Sequence, residues 1–153
     1  MLLAGCGSKP TEPAGPELVD MKLTLSSAVG GSGQPVTVAA DATNFGHRPV
    51  LRADGCVELF SFDVYGPDGE KVDLLGSRVL PLCPPGVAEL APGQSVSQEL
   101  SFTGTLFETG ASVSSYPAPP GEYAVVARFT WWSLRGRAEA VTIGKRVTFR
   151  WSG

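Results

Sequence analysis

The sequence predicts an all-β chain, an antiparallel sandwich of seven to eight strands, on three observations. First, Gly121 to Trp132 is an uninterrupted strand pattern opened by Pro119-Pro120-Gly121, which forbids a helix up to that point. Side chains alternate across a strand, so Tyr123, Val125, Ala127, Phe129 and Trp131 share an apolar face that something must cover. Second, 19 glycines and 13 prolines, about a fifth of 153 residues, punctuate the chain at short intervals suited to strands and turns. Third, no window carries a sustained i, i+3, i+4, i+7 apolar repeat, so helix should be scarce.

The elements follow in order. Leu18 to Ser26 alternates Val19, Met21, Leu23 and Leu25 against Asp20, Lys22, Thr24 and Ser26, a strand with one wet face. Gly30-Gly31-Ser32-Gly33 breaks it, and Pro35 to Thr43 makes a second strand with Val36, Val38, Ala40 and Ala42 inward. Asn44 to Gly55 reads as a loop with a short strand at Val50-Leu51. Cys56 to Tyr65 is a third strong strand with Phe60, Phe62 and Val64 on one face. Pro67-Asp68-Gly69-Glu70 is a hairpin turn, and Lys71 to Leu75 returns. After the turn Leu90 to Gln94, Ser95 to Thr103 places Val96, Gln98, Leu100 and Phe102 on one side. Thr105 to Pro120 is a Ser-rich excursion, and the last strand runs roughly from Ala138 to Trp151 with an interruption at Gly144.

Composition sets the class. With 42% apolar and 18% charged residues the chain can build one core, and a net charge of −3 argues against nucleic acid as a partner. Residues 1–6 read as the remnant of a lipoprotein signal peptide, 7–17 as a Pro-rich tether and 18–153 as the folded domain. Leu3-Ala4-Gly5-Cys6 resembles the lipobox of bacterial lipoproteins: small side chains before Cys6 admit a peptidase, and Cys6 is the residue lipidated. The tether would hold the domain about 30 Å from a membrane. Only five residues precede Cys6, fewer than a basic n-region and an apolar h-region require, so on this reading either the true start lies upstream of Met1 or the chain is a fragment. The address is then the bacterial cell envelope, periplasmic or at the cell surface, with the membrane reached through the lipid.

If Cys6 is lipidated, Cys56 and Cys83 remain, an even pair suited to a disulfide in an exported protein. It would close a loop of about 28 residues, worth ~3 to 4 kcal/mol in the chain-entropy model.

The inventory for catalysis is thin. A single histidine, His47 in Asn44-Phe45-Gly46-His47-Arg48-Pro49, reads as an exposed loop residue and leaves no multi-histidine metal site. Asp41, Asp63 and Asp68 read as a wet strand face and a turn rather than a hard-cation site. The reading is a non-enzyme with no catalytic residues, no metal and no cofactor. Two features offer a binding surface. From Arg128 onward six basic residues (Arg128, Arg135, Arg137, Lys145, Arg146 and Arg150) face one acid, Glu139, so this segment carries +5 in a chain of −3 overall. That polarity suits anionic headgroups or an acidic partner; the plainer alternative is solvated charge that guards an edge hairpin. Trp131 and Trp132 point to opposite faces, so Trp132 is either packed under Thr105 to Pro120 or exposed for recognition. The candidate surface is Trp132, Arg135, Arg137, Lys145 and Arg146, for an unidentified protein of the envelope.

A family resemblance adds to this. Leu23-x-Leu25, Pro35-Val36-x-Val38, Asn44, Pro49-Val50, Phe62-Asp63-Val64-Tyr65-Gly66-Pro67-Asp68-Gly69-Glu70-Lys71-Val72, Leu90-x-Pro92-Gly93-Gln94-Ser95 and Pro120-Gly121-x-Tyr123-x-Val125-x-Ala127 are similar to the BsuPI-type intracellular proteinase inhibitor domain. The resemblance covers about Leu18 to Phe149 and implies an immunoglobulin-like sandwich. It also implies a protease as partner, met by exposed loops, with Thr105 to Pro120 or Arg48 to Gly55 offered to the active site.

Overall fold

The computed structural model describes residues 18–55, 58–76, 85–108, 114–134 and 140–153. Over these the chain is all-β and contains no helix. Twelve strands are formed: β1 (Val19–Leu25), β2 (Val29–Gly30), β3 (Val36–Asn44), β4 (Val50–Gly55), β5 (Phe60–Tyr65), β6 (Lys71–Val72), β7 (Pro85–Leu90), β8 (Ser95–Phe102), β9 (Thr105–Phe107), β10 (Ser115–Pro117), β11 (Gly121–Ser133) and β12 (Val141–Trp151). The count exceeds the expected seven to eight for a physical reason. β2, β6, β9 and β10 are two- or three-residue bridges made by turns and by the Thr105–Pro120 excursion, too short to print a periodicity. β7 is a further strand, in a segment to which the sequence pattern assigns none; proline is tolerated as its first residue. β12 runs through Gly144 without interruption.

Two sheets face each other. The smaller has the order β1-β3-β8, antiparallel throughout. The larger is built on β11, which pairs along one edge with β12 from Gly121 to Trp131. Its other edge is divided between β5, opposite Ala124 to Phe129, and β4, opposite Trp131 to Ser133. β7 extends β4, β6 extends β5, and β2 meets the end of β12 in parallel. As expected, Tyr123, Val125, Ala127, Phe129 and Trp131 are all buried. They face Val19, Met21, Val36, Val38, Ala40 and Ala42 of the smaller sheet across two apolar clusters. Phe102 sits amid Tyr123, Phe149 and Trp151 with ring centroids 4.8 to 5.0 Å away. Each such fully buried aromatic side chain contributes about 1.5–3 kcal/mol relative to exposure.

Polar groups fix the ends of this core. The Tyr123 hydroxyl donates to the Pro119 carbonyl at 2.7 Å, tying the entry of β11 to the chain four residues upstream. Burial foremost, with Tyr116 and Asp68 nearby, pushes this hydroxyl up to about 12. A raised value means that its contribution is complete below about pH 10 and is lost as pH rises from there toward 12. At the opposite end, fully buried Asn44 donates through Nδ2 to the Arg48 and Leu90 carbonyls, and its Oδ1 accepts from the Gly46 amide.

The two flanks of the structure differ. On one, β1 lies alongside β12, and Lys145 reaches Asp20 at 3.9 Å. On the other, β8 and the β5–β6 pair stand apart. That asymmetry positions the site.

Candidate functional site

Among the residues singled out in the sequence, Trp132 and Arg146 lie on the outer face of the larger sheet. Arg146 is opposite Val126, and Trp132 is six positions further along β11, roughly 20 Å away. Trp132 is half-buried beside Leu51 of β4. The described part of the Thr105–Pro120 excursion does not cover it, packing Leu106 with Tyr123 and Trp151 at the other end of β11. Lys145 is opposite Ala127, so it issues from the core-facing side of β12. It stays exposed because β12 is an edge there, where an inward charge discourages strand addition. Trp132, Arg146 and Lys145 therefore do not converge. Arg135 and Arg137, the lipidation residue Cys6, and Cys56 and Cys83 lie outside the described residues.

The outer face also carries an ion network. Asp63 on β5 accepts from Lys71 on β6 and from Arg128 on β11. The Lys71 hydrogen bond first, then that of Arg128, holds the Asp63 carboxyl below the usual range. A lowered carboxyl contributes stability above about pH 4 and loses it as pH falls through the folded value. Both cations are well exposed to solvent, so the contribution is about 1 kcal/mol. Asp63→Asn should lower stability by that much near pH 7 in urea titrations, and the gap to wild type should close as pH falls below about 4 and the Asp63 carboxyl protonates. A gap independent of pH contradicts this assignment. The other two aspartates are elsewhere: Asp41 accepts from Ser97 Oγ, and Asp68 caps its turn by accepting from the Glu70 amide at 3.0 Å. His47 is exposed in its loop. Among the described residues no group of three or more His, Cys, Asp and Glu side chains is placed to hold a metal ion. Nor is any helix there long and apolar enough to cross a membrane.

What the structure brings together instead is the open flank. A cleft of about 670 Å³ lies between β8 and the β5–β6 pair. Its floor is Phe62, Val64, Val72, Leu74 and Leu100, and its rim carries Glu58, Asp73, Glu99 and Lys71. Gln98 spans it: from within an otherwise apolar face of β8, its Oε1 accepts from the Phe60 amide at 3.1 Å. Backbone direction follows from the ladders. The Thr37 amide and carbonyl turn away from β8, toward Ser26, so Val36, Val38, Ala40 and Ala42 are the residues that bond to β8. Their partners Phe102, Leu100, Gln98 and Val96 point into the sheet, which leaves Ser97, Glu99 and Ser101 with amides directed outward. By the same alternation the Phe62 amide and carbonyl face the cleft, as that of Phe60 does. The one sequence signal for this site was Gln98, a polar residue at an inward position. The gap itself depends on the separation of strands that are distant in the chain.

No family model and no curated protein matches the chain. Among solved structures, a β-glucosidase from Listeria innocua in complex with gluconolactone aligns at 11% identity and a TM-score of 0.44 over 88% of this chain. A β-D-glucoside glucohydrolase from Trichoderma reesei aligns at 18% identity and a TM-score of 0.34 over 82% of it. The chain spans 16% and 17% of those two proteins.

Proposed function

We propose that this chain is a non-catalytic, lipid-anchored protein of the bacterial cell envelope whose domain is an immunoglobulin-like module for protein–protein interaction. The observation that carries the interaction reading is the open flank, an apolar-floored cleft between strand edges. What supports the immunoglobulin-like reading is the Tyr123–Pro119 hydrogen bond at the entry of the central strand, the arrangement known as a tyrosine corner in such domains. Support for the anchor comes from Leu3-Ala4-Gly5-Cys6 and the prolines after it. The β4–β7 ladder ends at Gly55 opposite Pro85, one residue from Cys56 and two from Cys83, which favours the disulfide. Affinity capture of the full chain from envelope fractions should recover a stoichiometric protein partner; recovery of free monomer alone contradicts the interaction reading. Cys6→Ser should move the chain from the membrane to the soluble fraction, and an unchanged distribution contradicts the anchor.

A second reading, inhibition of a protease in the BsuPI manner, is favoured by Phe45. This side chain is 65% exposed at the start of the loop after β3, where its amide donates to the Leu18 carbonyl while Asn44 donates to the Arg48 carbonyl and accepts from the Gly46 amide. A rigid loop offering one large apolar residue suits a protease that cleaves after aromatics. Of the other candidate loop, Arg48 to Gly55, residues Val50 to Arg52 lie in β4 between β11 and β7, whereas Ala53 to Gly55 are paired with β7 alone. Inhibition of a chymotrypsin-like protease that Phe45→Ala abolishes supports this reading; no inhibition across a serine-protease panel at micromolar concentration removes it.

A further inference from the structure

We infer that the outer edge of β8 is a strand-addition site for an extended protein segment with alternating apolar residues and a basic character. This rests on the interaction reading above and names the surface and the chemistry of the partner.

Three observations converge. No strand among the described residues pairs with the outer edge of β8, and its Ser97, Glu99 and Ser101 amides point outward. A strand laid along that edge would direct every second side chain inward, over Phe62, Val72 and Leu74. The cleft is thus an unfilled row of core positions, and valine-sized side chains suit its volume. Charge sets the remaining positions. Glu58, Asp73 and Glu99 line the mouth with no ion-pair partner among the described residues, whereas the one lining cation, Lys71, is engaged by Asp63. A segment with lysine or arginine at its outward positions complements that rim, and an acidic one is repelled. Other exposed edges are guarded: β12 carries Lys145, β1 carries Asp20 and Lys22, and β7 opens with Pro85 and carries Glu89. Along β8 the outward side chains are Ser95, Ser97, Glu99 and Ser101, and no lysine or proline blocks it.

The test uses the full chain, isotope-labelled, and a capped synthetic peptide in which valines alternate with lysines and threonines. Binding should shift the amide resonances of Ser97 to Ser101 and Phe62. Ser101→Pro removes one outward amide and no ladder hydrogen bond, so the fold persists while binding weakens about tenfold or more. A probe N-methylated on alternate amides should lose binding to the unaltered protein, independently of any effect of the proline on folding. A peptide with glutamates for lysines should bind at least about tenfold more weakly. Absence of binding by the basic peptide, equal binding by the N-methylated probe, or shifts confined to another surface each overturn the site. Full recovery of an envelope partner by Ser101→Pro would overturn it while sparing the interaction reading. Peptide binding without any recovered partner would do the reverse.

Discussion

Gly104→Ala should destabilise the protein by about 3 kcal/mol or more, the sum of a left-handed backbone penalty and a steric one. Gly104 has φ +82°, and a Cβ there would overlap Cζ2 of Trp151 and stand 2.9 Å from its Cε2. The indole has little room to retreat, because it packs close against Gly30 and Phe102 packs on it edge-to-face at 5.0 Å. Trp151 thus occupies a slot walled by two glycines. The control is Gly93→Ala: φ is +75° there, but nothing lies within 4 Å of the new methyl, so only the backbone cost of about 1 kcal/mol should appear. For a chain of this size the two variants should differ in Tm by several degrees in calorimetry. Equal losses would mean that Trp151 does not fill the slot.

Asn44→Ala should be comparably damaging, about 3 kcal/mol, for a different reason. Asn44 is buried among apolar neighbours, and three backbone groups depend on it: the Arg48 and Leu90 carbonyls and the Gly46 amide. Each buried group left without a partner costs about 1–3 kcal/mol, so the loss accumulates although little volume is removed. Asn44→Asp is a sharper probe. It keeps the acceptor for Gly46 but sets a carboxylate against two carbonyl oxygens, so at neutral pH it should be worse than alanine and improve in acid. Denaturant midpoints across pH measure this. A neutral-pH stability of Asn44→Asp equal to wild type contradicts the assigned bonding. Loosening of the Asn44–Pro49 loop should also lower any inhibition that depends on Phe45.

Much of the fold was legible because burial on one face writes a period of two into the chain. Val19 and Met21, Val36 to Ala42, Phe60 and Val64, and Tyr123 to Trp131 are buried at the alternate positions the pattern named. β7 was not legible: its Val87 is 58% exposed and its first two residues are proline and glycine, so it has neither alternation nor propensity. β4 was underestimated because Arg52 and Asp54 look like loop residues, yet Arg52 lies directly opposite Trp131 in the ladder and is held between two strands. The site was less legible than the fold. Sequence places Lys145 and Arg146 side by side, but the pleat sends them to opposite faces. Conversely, Phe62, Val72 and Leu100 meet only because β8 and β5 flank the same gap, a relation that spacing along the chain does not encode.

Hydrogen–deuterium exchange resolved to single amides in β8 bears most directly on the open flank. Val96, Gln98 and Leu100 should exchange slowly, and Ser97, Glu99 and Ser101 between them should exchange quickly. Uniformly slow exchange along the whole strand would mean that its outer edge is already paired, and the account of a free, partner-binding flank would then be wrong.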